Sequence, residues 1–482
     1  MNDLMVVFLY LGLVFLLAFF SRRQALASSE SENDQDIVEG QYLASRSLSI
    51  PESLGSIIAT EVSALTFLGI PAFAFSNNYS FIHIYFGAII GRGLIALIIV
   101  PRIYNKGLTL YSIMGKAGSS QTGSKLTGLI YSITKLLAVG VRLYAGSILV
   151  AEFFDLSIIL ALVLITGMTF FYTLIGGLKA VVRTDLLQTI LFVGGGIAAH
   201  IIIPDIAKTS WSTLYEMAVL GGKTEIINMN NLTPFLIGVS GGVLFDLCTH
   251  GVDQDFTQRL MGANSKKTAQ RAIFFSSFFS IGVGLLFLSI GALLWSYYQL
   301  NPSSVPLNSD KIFAQFITDF FPTPLKGLML AGVLAATMST LDSTINALSS
   351  VVWSELLPNR DIKKIKKYMT LDTLVISVLL LVVAILASYS EGILLLGLKI
   401  ASWSGGVLAA LFFSQLVWQG WTKGQMNAPS VILAYGFNLL GVGLNSFLIK
   451  GPWQYNVYYG MFFATVALKL LSLRSVKDPN SE

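Results

Sequence analysis

The sequence predicts an all-α membrane protein that crosses the bilayer many times. Three observations predict it. Of 482 residues, 54% are hydrophobic and only 12% are charged, with a mean hydropathy of +0.71; a soluble chain of this size carries about a quarter charged residues. Apolar runs of roughly 20 residues, the length that spans a hydrocarbon core, recur from end to end. Lysine and arginine are sorted between the intervening loops instead of scattered.

Thirteen runs are legible, at roughly 4–20, 51–75, 81–104, 126–154, 157–176, 180–204, 235–258, 271–299, 324–356, 368–389, 392–419, 428–449 and 453–473. The first resembles a secretory signal, but it lacks a basic start and is followed by Ser21-Arg22-Arg23, so it reads as a retained anchor. With the N-terminus outside, 22 of the 31 basic residues fall on inner loops and the tail, five fall outside, and Arg92, Lys135, Arg142 and Lys399 lie within spans. That bias gives an N-out, C-in orientation, which requires an odd number of spans.

The division that follows is a peripheral span at 1–22, a cytoplasmic loop at 23–50, a five-helix set at 51–204 and an outer loop at 205–234. A second five-helix set occupies 235–420, and 421–482 holds two peripheral helices and a short tail. The acidic, serine-rich segment 24–45 reads as flexible and cytoplasmic. The outer loops at about 205–234 and 300–323 are long enough for short helices. Cys248 is alone, so an intramolecular disulfide or cysteine metal cluster is impossible. The net charge of +5 follows from topology and implies no nucleic-acid partner. No phosphate-binding loop, HExxH motif or appended catalytic domain is legible, so the chain does not read as an enzyme.

Chemistry concentrates where helices carry polar residues in lipid. In the ninth run, Ser339, Asp342, Ser343 and Asn346 share one helical face with Thr340 beside it. Hydroxyls and a carboxylate at membrane depth must meet protein groups, water or an ion. Small oxygens at this density suit a partly dehydrated monovalent cation. The second run holds Glu61 at its middle, with Ser63 and Thr66 nearby and Gly69 and Pro71 beyond. The seventh carries Gly241-Gly242, then Asp246, Thr249, His250 and Asp253. Two interrupted helices, each opening a five-helix set, point to inverted repeats around a midplane site. Asp253 and Asp255 serve equally well as loop-pinning groups, and His250 equally well as a satisfied core histidine.

These residues resemble the sodium/solute symporter family of sodium/glucose, sodium/proline and sodium/sialic acid transporters. The likeness runs through EGQYLASRSLSIP, ATEVSALTFLGIPA, GGLKAVVRTDLLQ, DQDFTQRLMGANSKK and LAATMSTLDSTINALSS, in the family's order. It implies a LeuT-type fold with two inverted five-helix repeats and alternating access. It implies a sodium site from the Ala59, Val62 and Ala336 carbonyls and the Ser339 and Thr340 hydroxyls. A second sodium site would use Asp185, Ser339, Asp342 and Ser343, with Asp342 standing where the sialic acid members have serine; those two carboxylates could instead hold a proton. Substrate positions match Glu61, Ser63, Thr66, Tyr85, Arg142, Asp246, Thr249 and His250. Arg142 matches the arginine that grips a carboxylate in sialic acid members, or else forms an internal salt bridge to Glu61 or Asp246.

The expectation is a sodium-driven importer of a small carboxylate-bearing or zwitterionic solute, an amino acid or acidic sugar. It would work as a monomer in the plasma membrane, with sodium, the solute and lipid as partners. A transporter-fold nutrient sensor and a proton-coupled or uncoupled carrier are the rivals.

Overall fold

The computed structural model describes residues 2–28, 34–174, 178–302, 306, 308–390, 393–418 and 426–477. They are helical almost throughout. The principal helices are α1 (Asp3–Ser28), α2 (Ile50–Glu61), α3 (Leu65–Ser76), α4 (Tyr79–Ile103), α5 (Gln121–Phe154), α6 (Ile158–Thr173), α7 (Leu178–Ile206) and α8 (Thr233–Gly251). They continue with α9 (Gln254–Met261), α10 (Lys266–Leu300), α11 (Leu325–Leu356), α12 (Ile365–Ala387), α13 (Ile393–Leu416), α14 (Ala428–Ile449) and α15 (Asn456–Lys477).

Among the described residues, ten helices are long and apolar enough to cross a membrane. Two further spans are bent pairs, α2 with α3 at 59° and α8 with α9 at 64°. Helix α6, at 16 residues, is shorter than the usual span. The expected outer-loop helices are present as Trp211–Leu220 and Ile312–Phe320. One expectation fails. Residues 24–45 are not a flexible loop where they are described: α1 runs on to Ser28, and Asp34–Leu43 forms a helix. That helix is pinned by Gln258, which donates to the Tyr42 carbonyl, and by burial of Tyr42. Residues 29–33 lie outside the described residues.

Each break has a local cause. Helix α2 starts on a capping box, in which Ser49 and Glu52 satisfy each other's end of the first turn and Pro51 fixes the entry. Its ladder ends when Val62 turns extended, at φ −76° and ψ 114°. The chain re-enters helix through a π-turn at Leu65–Gly69, and Pro71 sits where its missing N–H costs nothing. Helix α8 stops at Gly251. Asp253 then caps α9, its carboxylate accepting from the Asp255 N–H at 2.8 Å.

Gly241-Gly242 therefore does not break the helix. A Cβ at Gly242 would lie 2.4 Å from the Ile84 carbonyl, and one at Gly87 would lie 2.3 Å from that of Val239. These glycines let α4 and α8 pack backbone to backbone, the usual service of small residues in a bilayer.

Two packing groups result. Helices α2, α3, α4, α8 and α10 lie against one another, as do α5, α6, α11 and α12. Helix α11 is the hub, with 94% of its most apolar stretch buried, and it touches α2, α7 and α9 as well.

Candidate functional site

The site begins at the end of α2. The last ladder bond runs from the Val62 N–H to the Ile58 carbonyl at 2.8 Å. The Ser63 N–H turns to Thr66 Oγ1 at 3.3 Å, so the Ala59 carbonyl loses its helical donor. Thr66 is thereby a local staple of the break. Helix α2 packs against α11, which carries buried hydroxyls. Ser339 donates to Asp185 Oδ1 at 2.6 Å, and Thr340 donates back to the Ala336 carbonyl at 2.9 Å. Both hydroxyl hydrogens are thus directed at protein, leaving oxygen lone pairs for a cation. The Ala336 carbonyl already meets the Thr340 hydroxyl as well as its ladder N–H, so it becomes a cation ligand only by releasing one of them.

A second centre lies among α2, α4, α8 and α10. Arg92 is fully buried, with Nη2 2.7 Å from Glu61 Oε1 and Nε 3.2 Å from Asp246 Oδ1. Its Nη1 donates to Ser276 and Ser280 at 2.7 and 3.0 Å, and Ser280 donates to Glu61 Oε2 at 2.6 Å. His250 Nδ1 lies 3.1 Å from Asp246 Oδ1, while Nε2 lies 3.2 Å from Arg92 Nη2. Since the guanidinium can only donate, this geometry assigns a neutral imidazole with its proton on Nδ1. Thr249 donates to the Phe245 carbonyl at 2.9 Å and also borders Nδ1. Tyr85 packs against Gly284, where a Cβ would stand 2.7 Å from its ring.

A third cluster lies at the α8–α9 bend. Lys135 of α5 bridges Asp253 and Asp255 at 2.9 and 3.0 Å. Arg259, fully buried, bonds Asp255 Oδ1 at 2.7 Å, Ser56 Oγ at 2.7 Å and Ser343 Oγ at 2.5 Å, and lies 3.4 Å from Asp185 Oδ2. Asp185 also accepts from Ser56 at 2.6 Å. Asp342 accepts from the Tyr172 hydroxyl.

Glu61, Asp246, Thr249 and His250 thus lie together, as do Asp185, Ser339, Asp342 and Ser343, and two expectations change. Arg142 does not pair with Glu61 or Asp246, because Arg92 holds both. Arg142 is half-buried, and no hydrogen bond or ion pair is found for it among the described residues. It lies close enough to Asp253, Asp255 and Glu61 to feel their charge. Arg259, one of the 22 basic residues that the sequence assigns to inner loops and the tail, is instead part of the buried site. Arg92 was the sequence's missed signal: an arginine inside an apolar run demands a carboxylate partner. Asp253 and Asp255 take the loop-pinning role.

Comparison with known proteins identifies the family and the fold. The model of the sodium:solute symporter family matches residues 41–428. The sodium/sialic acid symporter SiaT of Proteus mirabilis (strain HI4320) is 25% identical over 309 residues, covering 62% of each chain. The human sodium/iodide cotransporter is 27% identical over 335 residues, covering 63% of this chain and 49% of its own. The chain thus spans less than two thirds of the length of these relatives in the matched regions. Among solved structures, a sodium-coupled sialic acid symporter in a substrate-bound, outward-open state superposes with a TM-score of 0.84 at 20% identity over 98% of both chains. Mhp1, a nucleobase-cation-symport-1 family transporter, gives 0.58 at 13% identity, covering 91% of this chain and 95% of its own. These likenesses establish the LeuT-type fold.

Proposed function

The chain belongs to the sodium:solute symporter family, and on that premise we propose that it imports a small organic anion on the sodium gradient by alternating access. The observation that carries the coupling is the interrupted ladder at Ala59–Val62 on a helix packed against α11, which carries the Ser339 and Thr340 hydroxyls. A sodium ion there, held by the Ala59, Val62 and Ala336 carbonyls and the two hydroxyls, bridges a broken helix to the hub. Neutral oxygens replace part of its hydration without adding a buried charge. Binding favours the substrate-competent state only to the extent that the ion prefers it, and the break in α2 is the element it stabilises. An inward-negative potential adds about 2.3 kcal/mol per charge per 100 mV.

The substrate class follows from charge. Glu61 is engaged by Arg92 and Ser280, so it offers a substrate hydrogen-bond acceptance, not a vacant partner for an amine. Arg142 offers an uncommitted, planar guanidinium suited to a carboxylate. An acidic sugar fits this arrangement better than a zwitterionic amino acid, and sialic acid is the named cargo of SiaT. Ser63, Tyr85, Asp246, Thr249 and His250 complete the proposed cavity, with Arg92 fixing its acidic wall. Thirteen spans, an N-out and C-in orientation, a plasma-membrane location and function as a monomer belong to the same proposal.

Uptake of radiolabelled acidic sugars and amino acids into proteoliposomes tests it. Accumulation should require sodium, fail in choline at fixed pH, and fall at least about tenfold in Arg142→Ala, since a charge-assisted contact is worth about 1.5–3 kcal/mol. Glu61→Gln should impair uptake less than Arg142→Ala. Uptake that survives choline would favour the proton-coupled rival, and a neutral sugar carried equally by both variants would remove the anion reading.

A further inference from the structure

We propose that Arg259 is a tethered cation that competes with a second sodium ion, one lodged between Asp185 and Asp342, for Asp185 and Ser343, and so sets how tightly that ion binds; this rests on the sodium reading above. The sequence puts Arg259 four residues after Asp255 on the short helix α9, and the 64° bend turns that helix inward. Its guanidinium reaches three other helices with no exposed surface: Ser56 on α2, Asp185 on α7 and Ser343 on α11.

Its hold is uneven. On its own helix it makes two 2.7 Å contacts with Asp255, to the carboxylate and the backbone carbonyl. Toward α7 it stands 3.4 Å from Asp185, while Nη2 takes a lone pair of Ser343 at 2.5 Å. Ser339 donates to the other oxygen of Asp185, and Ser343 neighbours Asp342. Asp342 meets the Tyr172 hydroxyl and Ser343, at 3.3 Å for the latter, and pairs with no cationic side chain among the described residues. The guanidinium thus lies against one carboxylate, Asp185, and two hydroxyls, Ser56 and Ser343, and is shared with Asp255.

A small alkali ion placed between Asp185 and Asp342 would draw on both carboxylates, but it needs the Ser343 and Asp185 lone pairs that Nη2 occupies. Guanidinium does not lose its charge in a protein, so the contest does not relax with pH. Where two ligands share acceptors, each lowers the other's affinity, and the linkage is reciprocal. Asp255 is the resting place to which Arg259 withdraws when the ion wins.

The test is the half-saturating sodium concentration for thermal stabilisation of the purified full chain, with choline holding ionic strength constant. Arg259→Gln should lower it by about 5- to 150-fold, the usual span of coupling between sites. Asp255→Asn should raise it, because the guanidinium then settles on Asp185; Arg259→Lys should stay near wild type. If Arg259 merely supported the site, its removal would weaken the sodium response, so the sign decides. An unchanged or higher half-saturation in Arg259→Gln, or an unchanged or lower one in Asp255→Asn, overturns the proposal. A wild type that responds to sodium while Arg259→Gln does not tighten sinks this inference alone. No sodium response in any form sinks the sodium reading and the inference with it.

Discussion

Replacing Arg92 with methionine should destabilise the protein by about 3–5 kcal/mol, the range for removing one partner of a buried ion pair. The size follows from the geometry. At an effective dielectric near 20, charges 2.7 Å and 3.2 Å apart attract by about 6 and about 5 kcal/mol respectively. Desolvation of the fully buried guanidinium and its two carboxylates offsets most of that attraction while all three are present. Taking Arg92 away leaves Glu61 and Asp246 buried without their counter-charge, while the Ser276 and Ser280 hydroxyls lose an incoming donor but keep the bonds they donate. Methionine keeps the length and the apolar stem, so lost packing contributes little. Removing the stranded charges should therefore restore stability: the Arg92→Met, Glu61→Gln, Asp246→Asn triple variant should recover most of the loss. Reversible SDS unfolding, followed through the seven tryptophans, reads both quantities. A single variant as stable as wild type, or a triple variant less stable than the single, would show that the cluster is not held by charge.

Two further outcomes follow from other parts of the molecule. Changing Ser339 and Thr340 together to alanine should raise the half-saturating sodium concentration for uptake by at least about tenfold, since each hydroxyl facing a cation is worth about 1.5–3 kcal/mol; full sodium-driven accumulation in that variant would end the case for the site. Gly242→Val should cost about 1–3 kcal/mol by overpacking, because its Cβ would stand 2.4 Å from the Ile84 carbonyl; SDS unfolding should show this, whereas Gly167→Ala, where nothing lies within 4 Å of the added carbon, should be nearly neutral.

The spans and the polar face of α11 were legible because membrane insertion constrains composition over 20-residue windows, and periodicity reports a helix face directly. The break in α2 was legible from Glu61 and its small neighbours. Gly241-Gly242 reads as the break in the α8–α9 span, ten residues early, because glycine in a membrane helix signals both weakness and close packing, and the α4 contact decides which. The true signal was the aspartate at 253, a capping residue after Gly251. Partnerships were not legible. Arg92 lies 154 residues from Asp246, and Arg259 lies 203 from Ser56. An arginine inside an apolar run demands a carboxylate, but nothing local names which one, so Glu61 reads as available to substrate although its partner is already in the chain.

The charged clusters divide along the same line as the helix packing. Every member of the Arg92 cluster comes from α2, α4, α8 or α10, so it fastens that group internally. Lys135 and Arg259 instead stitch across, from α5 to the α8–α9 bend and from α9 to α7 and α11. Sliding one group past the other leaves the first cluster whole and severs the second. If transport slides these groups past each other, the ion pairs mark the seam: the pairs within a group travel with it, and those that cross have to be exchanged for other partners.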